Sequence, residues 1–204
     1  MKKVFLSLAV ASLAFSCCDK KKEDCNKDGE EVVATTGTGE EAHADGVEMV
    51  TLDLNGEQLS VVKGGLEESL YTFLSSDGYK NAKDDEALKS TWYDFDQVNF
   101  KMGSASELEE GSQAQIGNLV KILKAYPDAK IKIGGYTDKT GKEEVNKKVS
   151  TDRANFIKGE LDKAGVGAQV VSAEGYGSEF ATVEAGASDE ERAKDRKMSV
   201  RFTK

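Results

Sequence analysis

The residues best equipped for chemistry lie in one stretch: Gly135-Tyr136-Thr137-Asp138, then Asn146, then Ser150-Thr151-Asp152-Arg153-Ala154. Lys130-Ile131-Lys132-Ile133 alternates like a short strand, so the Asp138 carboxylate is expected just past a strand end. Ser150 is a good helix N-cap. A helix starting there puts Arg153 in its first turn, beside free backbone N–H groups that favour an anion. A carboxylate on one side and a guanidinium on the other suit a zwitterion. An arginine fork grips a ligand carboxylate through two parallel hydrogen bonds, Asp138 holds a ligand ammonium, and the Asn146 amide orients the ligand. The headgroup of an amino acid carries both charges at that spacing. The same two residues could instead form an ion pair that staples loop to helix, an interaction contributing about 0–1 kcal/mol.

Other chemistries have little to work with. The one histidine, His43, has no ordered neighbours in sequence, and the three cysteines, Cys17, Cys18 and Cys25, all lie early. The later chain therefore lacks a histidine base, a thiol nucleophile and a metal-ligand cluster, so neither catalysis nor a cofactor is expected. Paired carboxylates that could hydrolyse a glycan are the remaining enzymatic option. The formal net charge of -9 argues against nucleic-acid binding, which needs Lys and Arg to displace phosphate counterions.

The elements that must position the stretch can be read from periodicity. Residues 92–204 are expected to form a two-layer α/β sandwich in the order β-α-β-α-β-α-β. Trp92 to Phe100 suggests a strand, with Val98 and Phe100 on one face. Gln113 to Tyr126 suggests a helix with Ile116, Leu119, Val120 and Leu123 along one stripe, ended by Pro127. A strand at 130–133 and a helix at about 150–164 follow, the latter stopping near Gly165. A strand at 169–173, a charged helix at 189–194 and a last strand with Met198, Val200 and Phe202 alternating complete the series.

Before this domain, residues 47–76 read as a hairpin and helix. Asn55-Gly56 is a strong two-residue turn signal. It pairs Leu52 with Leu59, Val50 with Val61 and Glu48 with Lys63, all chemically sensible partners. Leu66, Leu70, Phe73 and Leu74 follow helical spacing and would cover the hairpin's apolar face. Residues 77–91 read as a polar connector.

The first residues have the layout of a secretory signal: Lys2-Lys3, an apolar run from Val4 to Phe15, then small residues and Cys17. The run is shorter than the roughly twenty residues that span a bilayer as a helix. Ala14-Phe15-Ser16-Cys17 resembles a bacterial lipobox, which makes residues 1–16 a signal peptide and Cys17 a lipidated first residue. The alternative is ordinary cleavage nearby and a free periplasmic protein. Residues 17–46 are charge-dense or small and lack apolar periodicity, so a disordered tether is expected, averaging roughly 30 Å end to end.

The site stretch resembles the signature of the OmpA-like peptidoglycan-binding domain family, the domain of the OmpA periplasmic half and of the peptidoglycan-associated lipoprotein. Asp138, Asn146 and Arg153 have the family spacing, with Ser150 and Ala154 in place. Gly175-Tyr176-Gly177 resembles its later turn, and Arg192 with Asp195-Arg196-Lys197 resembles its terminal arginine stretch. The likeness covers about residues 94–204. It implies a mixed four-stranded sheet with helices on one face. It also implies that Asp138 and Arg153 hold the free diaminopimelate headgroup of a peptidoglycan stem peptide, supported by Asn146, Thr137 and Arg196. Departures are Val149 for Leu, Asp195 for Asn, Lys197 for Arg, Glu191 for Gly and Lys101 where many members carry Asp; Asp96 could compensate for the last. The resemblance and the lipobox together predict an outer-membrane lipoprotein with its domain in the periplasm, tethering membrane to wall without cutting it. A non-catalytic protein-interaction module of an envelope complex, docking through residues 47–76, is the second reading.

Overall fold

The computed structural model describes residues 46–204, so the signal segment, Cys17, the tether and His43 lie outside the described residues. The hairpin forms where expected. β1 (Met49–Leu54) and β2 (Glu57–Val62) pair antiparallel with Leu52 opposite Leu59 and Val50 opposite Val61. Asn55 and Gly56 both take positive φ, 58° and 98°, the backbone of a type I′ turn that only such residues adopt readily. Lys63 and Glu48 close the open end through a 2.7 Å ion pair.

Helix α1 (Leu66–Ser75) lays Leu66, Leu70 and Leu74 against the hairpin's Leu52, Leu54, Leu59 and Val61, and all seven are buried. A short helix, α2 (Gly78–Asn81), and a single 3-10 turn (Asp85–Ala87) follow. The polar connector is thus partly structured: Tyr79 packs on the core and Leu88 is buried in it.

The second sheet has four strands: β3 (Tyr93–Asp94), β4 (Lys130–Tyr136), β5 (Val170–Gly177) and β6 (Met198–Thr203). Their order is β3-β6-β4-β5. β4 and β5 are parallel, and β6 runs antiparallel to both β3 and β4, so the sheet is mixed as expected. Helix α3 (Ser112–Ala125) joins β3 to β4, α4 (Glu143–Lys163) joins β4 to β5, and α5 (Asp189–Ala193) precedes β6. Ile131 and Ile133 of β4, Val200 of β6, Ile157 and Leu161 of α4 and Ile116 and Leu119 of α3 are at most 1% exposed. Each such side chain contributes about 1.5–3 kcal/mol through burial. One continuous apolar core joins these residues to the hairpin and α1.

Two expected elements differ. The strand expected over Trp92–Phe100 is only Tyr93–Asp94, with Phe95 N–H still bonded to Met198 O and Phe100 in an isolated bridge to Leu108. Phe95 and Val98 are buried, but from a loop whose backbone bonds go to side chains: Gln97 N–H to Gln115 and Asn99 N–H to Ser112. The second difference concerns Ser150, which is not an N-cap. Helix α4 starts seven residues earlier, at Glu143, with two glutamates in its first turn. Ser150 Oγ donates to Lys147 O and accepts from Gly177 N–H at 2.9 Å, tying the helix interior to β5.

Candidate functional site

The site is built where β4 ends. Beyond Tyr136 the chain turns sharply, because Asp138 Oδ1 accepts from the Thr140 N–H at 2.9 Å and from the Thr140 hydroxyl. Asn146, in the first turn of α4, donates its amide to Thr140 O at 2.8 Å and to Asp138 O at 3.3 Å. Thr137 N–H donates to Gly177 O, and its buried hydroxyl has no partner among the described residues. Asn146 and Thr137 thus brace the loop from behind.

The loop aims Asp138 into a cavity of about 520 Å³ that Arg153, Arg192, Arg196 and Glu109 also line. Arg192 and Arg196 lie four residues apart, on α5 and just past it, and both reach Asp138 Oδ2, at 3.5 and 3.0 Å. α5 is held for this by a capping box between Ser188 and Glu191. Asp189 binds the other side of Arg196 at 3.0 and 3.1 Å. Burial pushes the Asp138 carboxyl up, but the Thr140 bonds, Arg196 and Arg192 more than offset this and hold it below its ordinary value.

Arg153, on α4, lines the same cavity. Because α4 starts at Glu143, Arg153 lies in the third turn and not the first, so the free amides of the helix start are not beside it. Its Nε and Nη2 donate to Ser104 O at 3.1 and 2.9 Å, and its guanidinium lies 5.0 Å from the Phe100 ring. It forms no ion pair with Asp138. Among the described residues it is the one arginine of the cavity without a carboxylate partner. Burial, then the charge of Arg196, pushes its pKa down, so an anion arriving here would relieve a strained positive charge. The cavity walls carry four cations and three acids, counting Lys197, Asp189 and Glu109.

Of the five residues expected to bind, the structure brings Asp138, Arg153 and Arg196 to the cavity and leaves Asn146 and Thr137 off its wall. Asp96 does not line this cavity, so it does not compensate there for Lys101: it accepts from Gln115, while Lys101 pairs with Glu107. Sequence reasoning missed Glu109, which the Glu109 N–H to Asn99 O bond fixes at the cavity edge. Its only signal was a carboxylate just before α3.

Asp195 is one of the departures noted above, and the structure gives it a structural task. It accepts from Thr182 N–H, the Thr182 hydroxyl and Val183 N–H, gathering the loop after β5. Burial pushes this carboxyl up, and those bonds outweigh it and hold it below its ordinary value. Its stabilisation is therefore complete above the unfolded value of about 3.9 and is lost as pH falls through the folded one. Asp195→Asn is expected to reduce stability at pH 7 by ~1 kcal/mol. In urea titrations that deficit should shrink progressively as pH falls below about 3.9; a constant deficit across the range would contradict the assignment.

The described residues thus form a two-layer α/β domain with a charged cavity at the carboxyl end of a central strand. Residues 99–196 match the OmpA family, and the chain carries an OmpA family domain there. It is 38% identical over 78 residues to the peptidoglycan-binding protein ArfA of Mycobacterium tuberculosis, covering 38% of this chain and 24% of that protein. Over 109 residues it is 36% identical to outer membrane porin F of Pseudomonas aeruginosa, covering 53% of this chain and 29% of that one. The chain thus spans only about a quarter of the length of these curated relatives. The crystal structure of the peptidoglycan-associated lipoprotein from Burkholderia pseudomallei is 30% identical, with a TM-score of 0.46, covering 52% of this chain and 88% of that one.

Proposed function

We propose that this chain binds peptidoglycan without cutting it, holding the amine-and-carboxylate end of a diaminopimelate stem peptide in the Asp138–Arg153 cavity. The observation that carries this is the half-buried Arg153 guanidinium, without a carboxylate partner among the described residues, lining the same cavity as the Asp138 carboxylate. A ligand carboxylate completes the coordination of Arg153. The ligand ammonium takes the place of a guanidinium at Asp138, whose Oδ2 is shared between two arginines. Glu109 stands close enough to the cavity edge to add a second acid. The names of relatives such as the peptidoglycan-binding protein ArfA support the wall as the partner. On this reading Cys17 carries a lipid that anchors the chain in the outer membrane, and the domain reaches the wall from the periplasmic side.

The test is retention on purified diaminopimelate-type sacculi and titration with free diaminopimelate. Arg153→Ala is expected to weaken binding by about 10–100-fold, roughly 1.4–2.8 kcal/mol, while its melting temperature changes little. Equal retention by the variant removes the assigned site. Mass spectrometry of the membrane fraction, looking for acyl groups on Cys17, tests the anchor separately.

A further inference from the structure

The sheet has a second face. Gly135 and Gly175 abut α4, so the alternating positions Tyr136, Tyr176, Ser199 and Arg201 stand on the opposite side. Trp92, just before β3, meets Tyr136 and Tyr176 edge-on, with ring centroids 6.4 and 6.0 Å away. The two tyrosines stack at 5.2 Å. Phe180, 59% exposed, ends the row edge-on at 6.0 and 5.6 Å. These rings line a cavity of about 640 Å³, within the roughly 300–1,000 Å³ common for small-ligand pockets.

The rings are held in place. Arg201 lies 5.5 Å from the Trp92 ring and is fixed by two bonds to Asp85, at 2.8 and 3.1 Å. Along the same wall Asp94 accepts from Lys197 and from the Ser199 hydroxyl, both at 2.6 Å. Rigid aromatic faces therefore alternate with a hydroxyl, a carboxylate and an ammonium. Protein-interface cores are enriched in aromatic residues and Arg but depleted in Lys, Asp and Ser, so the rings and Arg201 would suit a protein partner while the polar edge of Asp94, Lys197 and Ser199 does not. The combination fits sugar rings, whose C–H faces lie on aromatic rings while their hydroxyl edges exchange hydrogen bonds with such groups. Four cations (Lys89, Lys194, Lys197 and Arg201) against two acids in the lining disfavour a cationic ligand.

We infer that this face of the sheet is a glycan-binding site, with Trp92, Tyr176 and Phe180 as the stacking platform and Asp94, Lys197 and Ser199 as the polar edge. Naming the glycan as the N-acetylhexosamine strand of the wall rests on the wall-binding reading above; the stacking site does not.

Trp92 is the only tryptophan of the chain, so its fluorescence reports on this cavity. The full chain is titrated with a tetramer of N-acetylglucosamine, which is neutral and carries no peptide. A saturable change in emission is expected, weakened about two- to tenfold in Phe180→Ala and unchanged in Arg153→Ala. The site is overturned by a flat titration, by an undiminished response in Phe180→Ala, or by loss of the response in Arg153→Ala, which would place the sugar in the Asp138 cavity. Free diaminopimelate with Arg153→Ala tests the other reading alone, so either can fail without the other.

Discussion

Gln115→Leu is expected to cost about 3–5 kcal/mol of folding stability. Gln115 is fully buried on α3, and its amide is the hub of a network. Its Oε1 accepts from Gln97 N–H at 2.9 Å, while its Nε2 donates to Glu67 at 3.1 Å and to Asp96. Glu67 is itself 1% exposed, with Asn118 as its other donor. Leucine fills the same volume but leaves two carboxylates facing each other with no donor between them, and an amide N–H without its acceptor. For a domain of this size the melting temperature should fall by about 6–20 °C. Adding Glu67→Gln should restore part of the loss, because an amide can donate to Asp96. A double-mutant cycle with purely additive effects would show that the three side chains do not act together.

Gly175→Ala is expected to lower the melting temperature by about 6–12 °C, corresponding to ~3 kcal/mol. Gly175 lies where β5 meets α4, and a Cβ there would overlap Thr151 N and the Ser150 and Thr151 hydroxyls. Gly135, its neighbour on β4, faces Ser150 O in the same way. The obstacle is partly helix backbone, so relief requires α4 to move away from the sheet. Because α4 also carries Arg153, the variant should lose ligand binding along with stability. A thermal melt and a diaminopimelate titration on the same sample check both. A variant with unchanged melting would mean that the helix can shift freely.

Much of the fold was legible because local and long-range signals agreed. Asn55-Gly56 set the hairpin turn, and the alternation around it set the register, leaving one self-consistent pairing. Met198, Val200 and Phe202 likewise announced β6. Ser150 misled because a hydroxyl that can cap a helix can equally serve inside one. Here it bonds to Gly177 across the helix–strand contact, and Glu143 and Glu144 mark the true start. The first strand misled because Phe95 and Val98 are buried from an irregular loop, and alternation alone does not separate that from a strand. In the site, Asp138 and Arg153 could be picked out by spacing. That Arg192 and Arg196 converge on Asp138 depends on α5 folding back across some fifty residues, which pairwise spacing does not encode.

The position of β6 has a consequence for how the domain is made. It is the last of the six strands among the described residues, yet it lies inside its sheet between β3 and β4, with all six residues buried. Its partner β3 precedes it by about a hundred residues, and Tyr79 and Asp85 reach across a still longer interval to bond Thr203 and Arg201. During synthesis, β4, α4 and β5 can associate as soon as they emerge, but the edge of β4 stays bare until β6 arrives. Contacts this distant form late and slowly, and an unpaired strand edge invites pairing with other chains. The chain is therefore most vulnerable to aggregation just before its last strand is delivered, the stage at which a holding chaperone would have most to do.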